Sequence, residues 1–537
     1  MSVERTASPA RRRGRPQRLP EDPHPLGSGL VGCDQRVAWL LTVARVLGPD
    51  PDLARREGFI AALRDRGISV DASRVSRWES GLQPLPSRVA TTYETVLGLT
   101  EGSLVAVASS LRRSFGTGPS TREGLLGDGE ASDDELNRLL EHTEAGTATG
   151  ADWLHLADQF GRFDRVFLRE DDWSRLCDRL VTELGSAVGI GYVRRYEAAA
   201  AFIRHHNARR HLVMAVGRFV THPDAQVVVP VLNLLSEVPD PAAAALILRM
   251  LSADSENTYL RRAASSVAAV KLARGHFDDS ALPRLESHVL GALRRADPLD
   301  GRLDAFDLAV RLPEDSWQRV AGGLRTRRAY GLVEQARIDD ELVPAARAAS
   351  VVAGLAPAIQ ADTPSHQQPE PDLMLRRLLR EALVHSHKPR RHHAALLIAA
   401  SPYAPAAARH CLRLACDGND LLAARAWTVL MRVGDRGLRD AVVERSLVEE
   451  RPTVRARALV NAGLGGDLTS EQSAAIAAHY DTSRSLERHA TLFALGMAGA
   501  PQLEALSGSD DPETQRGAKW WLGQGPAIHD ADVHRPA

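Results

Sequence analysis

Cysteine is scarce in this sequence of 537 residues, which has four cysteines that lie far apart or without CxxC spacing. This excludes a disulfide framework and suits a reduced cytoplasm. Aromatic residues make up only 5% of the chain and β-branched runs are short, which argues against a β-rich fold. No stretch of about 18 apolar residues occurs, so we expect no membrane-spanning segment. The Arg-rich beginning has no sustained apolar core, and we expect no secretion signal there.

Neither sign of charge dominates the chain, because 67 Lys and Arg stand against 68 Asp and Glu. A uniformly basic coat for nucleic acid is therefore excluded. The distribution is uneven, since residues 1–116 contain 17 Arg against 12 Asp and Glu and the remainder has a net negative charge. We expect the positive potential at the N-terminal end. Ala, Leu and Arg recur throughout, which favours an all-α fold.

The most informative stretch is residues 69–81, SVDASRVSRWESG. Asp71 can cap the start of a helix, and Gly81 can end it in a left-handed conformation. Val75 and Trp78 lie three residues apart, so they share one face and can anchor the helix in a small core. The polar residues fall on the other faces. The pattern predicts the recognition helix of a helix-turn-helix, although an ordinary amphipathic helix would show the same spacing.

This stretch resembles the third helix and following turn of Cro/repressor-like (Xre-type) domains. The family pattern is matched at Val75, Trp78, Glu79, Gly81 and Pro86. The resemblance covers residues 34–115 and implies a five-helix domain, which we place at residues 31–116. The expected helices lie near 35–47, 55–66, 71–80 and 87–97, with a fifth that starts near 100–104. Glu79 is expected to pair inside the domain.

The resemblance implies seven residues that contact DNA, namely Arg55, Arg56, Ala72, Ser73, Arg74, Ser76 and Arg77. Ala72 and Ser73 would lie nearest the floor of the major groove, and Arg77 could donate two hydrogen bonds to guanine. Arg74 and Ser76 are candidates for phosphate or base-edge contacts. The two arginines at the start of the second helix could hold phosphate together with free backbone amides. Each arginine could instead be a solvated side chain.

A basic arm precedes this domain. Residues 1–30 are rich in Pro, Arg and Gly and are expected to be disordered. Arg13 and Arg15 flank Gly14 in a string that resembles the core of an AT-hook, which would enter a narrow A·T minor groove. Arg12 stands where such a core usually has Pro. The alternative is a nonspecific basic tail that adds attraction to phosphate.

A repeat of 32 residues marks the C-terminal third. Ala394, Ala426, Ala458 and Ala490 follow one another at this interval, and each is preceded by His or Arg, namely His393, Arg425, Arg457 and His489. Such a period indicates stacked helix pairs. Residues 511–518 resemble HEAT-like repeats. We therefore expect a linker over 117–150 with a short helix from residue 132, a HEAT-like α-solenoid over 151–528, and a frayed tail over 529–537.

Motifs of catalysis are absent. The sequence has no Gly-rich phosphate loop, no nucleophile elbow and no HExxH, so we predict no catalytic residue, cofactor or metal ligand. Two His-rich clusters, residues 205–211 and 385–393, leave three interpretations open: a metal site, a basic turn that contacts phosphate or an acidic partner, and a solvated face.

These observations predict a sequence-specific transcriptional regulator that is not an enzyme and is cytoplasmic and nucleoid-associated. Its partner would be double-stranded DNA, which it would bind as a homodimer because one recognition helix contacts only a few base pairs. The solenoid would sense a ligand, bind a protein or peptide, or mediate oligomerisation. The alternatives are a HEAT-like DNA-repair glycosylase and a scaffold that does not bind DNA.

Overall fold

The fold is all-α. The computed structural model describes residues 18–116, 133–252, 258–294, 299–324, 327–365, 370–434, 436–465, 468–480 and 485–530. Within these ranges the regular structure consists of α-helices and short 3-10 turns, with two isolated β-bridges and no strand. The predicted fold class is confirmed at this level. No helix among the described residues is both long and apolar enough to cross a bilayer. Arg13 and Arg15 lie outside the described residues.

Six helices form the N-terminal group: α1 (Cys33–Val46), α2 (Pro51–Ala54), α3 (Arg56–Asp65), α4 (Ala72–Glu79), α5 (Ser87–Val96) and α6 (Ser103–Phe115). Five of them have ends close to the predicted ones. The short α2 is additional, and it forms because Asp50 caps its amides and Pro51 occupies its first position. Helix α1 is buried on every face from Arg36 to Val46, so it lies at the centre of the molecule and not at its edge.

Thirteen helices follow: α7 (Asp133–Ala145), α8 (Gly150–Gly161), α9 (Glu170–Ser186), α10 (Gly189–Arg204), α11 (Arg209–Thr221), α12 (Val229–Leu232), α13 (Pro241–Met250), α14 (Thr258–Ala273), α15 (Leu282–Arg294), α16 (Leu299–Arg311), α17 (Glu314–Gly322), α18 (Arg327–Asp339) and α19 (Ala345–Ala361). Helix α7 packs on α8 and α9. The second half of the expected linker over 117–150 is thus part of the helical body, because Leu139 of α7 is fully buried in its core.

Ten helices complete the chain: α20 (Leu373–Val384), α21 (Lys388–Ala399), α22 (Ala404–Leu414), α23 (Asp420–Val433), α24 (Arg439–Val448), α25 (Pro452–Leu464), α26 (Ser470–Ala478), α27 (Ser485–Met497), α28 (Gln502–Leu506) and α29 (Pro512–Gln524). The odd-numbered helices from α21 to α29 contact one another in succession, and each also contacts the helix before it. The four alanines of the 32-residue repeat lie on α21, α23, α25 and α27 and are at most 2% exposed. Their small side chains allow the helices to approach closely.

The expected disorder of residues 1–30 is wrong for residues 18–30, which form an ordered strap. The Asp22 carboxylate accepts a hydrogen bond from Nε of the fully buried Arg36 at 2.7 Å. Arg390 of α21 donates to the carbonyl of Leu26 at 3.2 Å. A buried guanidinium requires counter-charges and acceptors, and the strap supplies them.

The N-terminal helices share a hydrophobic core with α19 to α25. The guanidinium of Arg36 binds both carboxylate oxygens of Glu381 in α20, at 2.6 and 2.7 Å. Nε1 of Trp39 donates to Asp372 at 2.9 Å, and the Trp39 ring stacks on Tyr403 with centroids 6.2 Å apart. The two parts of the chain are therefore joined by buried polar contacts as well as by apolar packing.

The C-terminal segment closes the body onto α8, α9 and α10. The amide of Ile528 donates to the carbonyl of Ser186 at 3.0 Å. Asp530 binds Nη1 of Arg195 at 2.7 Å and accepts the amide of Gly150 at 2.9 Å. The expected frayed tail over 529–537 is thus wrong at Asp530, because this carboxylate neutralises a buried arginine; residues 531–537 lie outside the described part of the chain.

Candidate nucleic-acid interface

Helix α4 begins and packs as its sequence predicts. The side chain of Asp71 accepts the amide of Arg74 at 2.7 Å, which satisfies one of the free donors at the helix start. Val75 and Trp78 are buried against the N-terminal core. The main neighbours of α4 are α1 and α3, so the helix is held by the N-terminal group itself.

The end of α4 is fixed against α1 by a close backbone contact. Gly81 has φ 71°, and a Cβ at this position would come within 3.0 Å of the Cα of Gln35. Only glycine meets both requirements without strain. Thr42 of α1 adds a hydrogen bond to the carbonyl of Glu79 at 3.1 Å. The angle between α4 and α1 is therefore closely determined.

A buried ion pair reinforces this anchor. Nε of Arg45 and its Nη2 bind the two carboxylate oxygens of Glu79 at 2.6 and 2.8 Å, and Nη1 donates to the carbonyl of Ala54 at 2.6 Å. Both side chains are almost inaccessible to solvent. The predicted internal pairing of Glu79 is confirmed.

The opposite faces of α4 carry the residues predicted to contact DNA. Ala72, Ser73, Arg74 and Arg77 are exposed and Ser76 is half-buried. The guanidinium of Arg74 lies 5.8 Å from the ring centroid of its helix neighbour Trp78. Among the described residues, no carboxylate lies within ion-pair distance of Arg74 or Arg77. Four small or cationic side chains thus form one accessible surface at the beginning and middle of α4.

The two arginines at the start of α3 behave differently from each other. Arg55 is exposed and lies 3.3 Å from the exposed Asp52. Arg56 is only 40% exposed, and its Nη2 lies 3.9 Å from the buried carboxylate of Glu79. No side chain caps the amides at this helix start. Arg55 is therefore available to a phosphate, whereas Arg56 is drawn partly into the domain.

The sequence analysis did not single out a second basic feature nearby. Arg66, at the end of α3, and Arg88, in the first turn of α5, line a recess of about 310 Å³ together with three threonines of α5. Cations and hydroxyl groups are the side chains that most often contact nucleic-acid phosphates. The only signal in the sequence is the spacing of Thr91, Thr92 and Thr95 after an arginine, which is not distinctive.

The two histidine clusters differ in burial: residues 385–393 are packed into the molecule, whereas His206, Arg209 and Arg210 of the other cluster are exposed. His385 and His393 are buried, and Arg391 binds Asp307 at 2.5 Å, so the interpretation of residues 385–393 as a solvated face is wrong. His211 lies 3.2 Å from Glu170. In the described ranges, no group of three or more His, Cys, Asp or Glu is placed to hold a metal ion.

Comparison with known proteins adds no support to the resemblance to Xre-type domains, which depends on the residues of α4 and its flanking turn. No family model matches the sequence, and no curated protein sequence is detectably similar to it.

Proposed function

We propose that this protein is a sequence-specific DNA-binding transcriptional regulator. In this proposal α1 and α3 to α6 form an Xre-type helix-turn-helix domain, α4 enters the major groove, and the following helices form a HEAT-like α-solenoid that controls it. The observation that carries the proposal is the division of α4 into two faces. Val75, Trp78 and Glu79 hold the helix, while Ala72, Ser73, Arg74 and Arg77 are presented to solvent.

The chemistry of the exposed face supports base contacts. Arg77 has a planar guanidinium that can bind O6 and N7 of guanine together. Ala72 and Ser73 are small, so the start of α4 can approach the base edges closely. Arg55 is placed to contact the backbone, which would fix the position of α4 in the groove.

The first experiment is selection of bound sequences from a random duplex library with the full-length protein. The full chain is needed because α1 shares its core with α20 to α23, and truncation would expose apolar surface. We expect one enriched motif and binding that weakens steeply as salt concentration rises. Failure to enrich any motif, together with affinity that is independent of salt, would overturn the proposal.

Substitution of Arg77 by Ala tests the role of α4. We expect a loss of about 1–3 kcal/mol on the selected site and relaxed preference at one base position. Fluorescence anisotropy on the selected site and on single-base variants measures both effects. Arg218→Ala is the matched control, because Arg218 is an exposed arginine of α11 that pairs with Asp178. An equal loss of affinity for all DNA sequences would show that Arg77 contacts only the DNA backbone.

We further expect the protein to bind as a homodimer. A single recognition helix contacts too few base pairs for a unique genomic site, so two copies should occupy half-sites about 34 Å, or one helical turn, apart. Footprinting of the selected duplex should show two protected half-sites related by approximate two-fold symmetry. One unpaired half-site, with a monomer mass in light scattering of the complex, would contradict this prediction.

A further inference from the structure

A partly open cavity of about 690 Å³ lies between helices of the body, and no residue of α4 lines it. The turn between α9 and α10, with α12 and α14, forms one wall, and α21, α23, α25 and α27 form the other. The end of α6 reaches it through Arg113 and Ser114. Its volume falls within the range of small-molecule and cofactor sites, roughly 300–1,000 Å³. It is too small for a nucleic-acid duplex.

The cavity wall is strongly basic. Nine Lys and Arg residues line it, against two carboxylates, Glu237 and Asp530. Both carboxylates already bind arginines: Glu237 lies 2.5 Å from Arg113, and Asp530 lies 2.7 Å from Arg195. Both acidic groups of the wall are thus engaged by protein cations. Arg113 also pairs with Glu197, and Arg391 pairs with Asp307, two carboxylates outside the lining. Among the residues that line the cavity, cations still far outnumber carboxylates.

The repeat itself builds part of this wall. His393, Arg425, Arg457 and His489, which precede the four repeat alanines, all line the cavity. The alanine of each repeat is buried, and the residue before it lines the cavity. A regular spacing of 32 residues therefore delivers one basic or imidazole side chain per repeat to the same space.

Two observations show that the wall is unfavourable for further positive charge. Burial and the nearby guanidiniums of Arg113 and Arg274 lower the pKa of His393 to about 4. Burial and Arg262 lower the pKa of His489 to about 4. In addition, Nε2 of His489 is buried and has no hydrogen-bond partner in the described part of the chain. A neutral imidazole nitrogen that lines a cavity without a partner is a group that a ligand can satisfy.

An aromatic surface adjoins the basic groups. The ring of Tyr259 lies against His489 with centroids 4.1 Å apart, and the guanidinium of Arg432 lies 4.9 Å from the ring centroid of Tyr192. Phe493 and Val229 extend the apolar part of the wall. A ligand of matching chemistry has several negative charges at one end and a flat or apolar group at the other.

We propose that this cavity binds a small organic phosphate of nucleotide size that carries several negative charges. Arginine presents a planar set of donors that matches phosphate oxygens, and charge-assisted hydrogen bonds of this kind are stronger than neutral ones. A polyphosphate concentrates more charge in the available volume than a carboxylate of equal size. The excess of cations in the wall therefore favours phosphate over carboxylate.

The cavity is also placed to influence the N-terminal helices. Arg113 belongs to α6, and the imidazole of His393 contacts the hydroxyl of Ser110 in the same helix at 3.1 Å. A bound phosphate would compete with Glu197 and Glu237 for Arg113 and so shift α6. Control of DNA binding by this ligand rests on the proposed function, whereas phosphate binding does not.

Calorimetric titration of the full-length protein tests the site. The probes are inorganic tripolyphosphate, ATP, AMP and adenosine, with citrate as a polyanion that lacks phosphate. We expect binding in the order ATP and tripolyphosphate, then AMP, with no binding of adenosine or citrate. Affinity should fall as salt is raised. This series uses the unaltered chain, so it does not depend on whether a variant folds.

Two variants locate the site. Arg425→Gln and Arg457→Gln each remove one cation of the wall while keeping a polar side chain of similar length, and each should weaken tripolyphosphate binding about tenfold or more. Arg413→Gln is the matched control, because Arg413 lies on α22, is 65% exposed and does not line the cavity. The Arg413→Gln variant should bind tripolyphosphate with the same affinity as the unaltered protein. Thermal melts check that each variant is folded.

Several results would overturn the inference. The first is the absence of binding heat with any phosphate at 1 mM. The second is that Arg413→Gln weakens tripolyphosphate binding as much as Arg425→Gln and Arg457→Gln do. The others are citrate binding as tight as that of tripolyphosphate, and displacement of tripolyphosphate by a single-stranded oligonucleotide of equal affinity. Because the titration contains no duplex, failure here leaves the DNA-binding proposal unaffected. If both hold, saturating ATP should change the affinity for the selected duplex at least threefold in the unaltered protein but not in Arg425→Gln.

Discussion

Replacement of Glu79 by Gln is expected to lower the free energy of unfolding by about 3–5 kcal/mol, because it leaves the buried Arg45 guanidinium without its counter-charge. The geometry of the ion pair between Arg45 and Glu79 makes its contribution to stability depend on both side chains. Arg45 binds both oxygens of Glu79, and its Nη1 donates to the neutral carbonyl of Ala54. An amide can replace one of the two hydrogen bonds but none of the charge.

Urea unfolding followed by tryptophan fluorescence measures this effect, since Trp78 lies in the same helix as Glu79. Glu57→Gln is the control, because Glu57 lies in the first turn of α3 and is exposed. The double variant Arg45→Met, Glu79→Leu should recover most of the loss, as apolar pairs can replace a buried ion pair. A loss below 1 kcal/mol for Glu79→Gln would show that solvent reaches Arg45.

The same pair should affect DNA binding through the position of α4. The beginning and middle of α4 carry the exposed face, while Glu79 and Gly81 anchor the end of the helix to α1. If Arg45 is released, the anchor loosens and the exposed residues lose their fixed orientation. Glu79→Gln should therefore weaken the selected duplex even at temperatures where the protein remains folded.

Local pattern is what made α4 predictable. The cap at Asp71, the buried pair Val75 and Trp78, and the positive φ at Gly81 all depend on residues within one or two turns of the helix. Such features are specified by short-range spacing. Whether Arg77 contacts a base depends on the bound DNA, and it stays a prediction.

Contacts between distant residues could not be found in this way. The Arg36 to Glu381 pair and the Arg195 to Asp530 pair join residues hundreds of positions apart, and no periodicity relates them. Their consequence is large, since Arg36 also holds the strap at residues 18–30 through Asp22, and Arg195 holds the C-terminal end through Asp530. Composition alone predicts disorder at both places, because it counts polar residues without their buried partners.

The basic cavity shows a related limit. The chain beyond residue 116 has a net negative charge, yet the wall of the cavity has a large excess of cations. The repeat period indicated where one basic residue per repeat would lie, but the period cannot show that α14 and the end of α6 bring further arginines to the same space. Net charge describes a domain, whereas binding depends on how the charges are segregated.

Acid pH should destabilise the protein through His393, and this effect is expected to reach about 3 kcal/mol. Its Nδ1 lies 2.7 Å from the carbonyl of Pro389, and Nε2 lies 3.0 Å from the carbonyl and 3.1 Å from the hydroxyl of Ser110. The neutral ring can therefore donate to the Pro389 carbonyl and accept from the Ser110 hydroxyl. Burial, together with Arg113 and Arg274, lowers its pKa to about 4, below the ordinary value of 6.5. The unfolded chain therefore takes up a proton first. The contribution of His393 to the free energy of unfolding is fully present above pH 6.5 and is lost as the pH falls toward 4.

His393→Gln should remove this part of the pH dependence, because the amide has no charge to gain. The measurement compares urea midpoints at pH 7.5 and pH 4.5 for the unaltered protein and the variant. His206→Gln serves as the control, since the His206 side chain is exposed at the surface. We expect the stability difference between the two pH values to shrink by about 2–3 kcal/mol in His393→Gln alone. An identical pH dependence in all three proteins would mean that the His393 ring is already protonated in the fold, or that water reaches it.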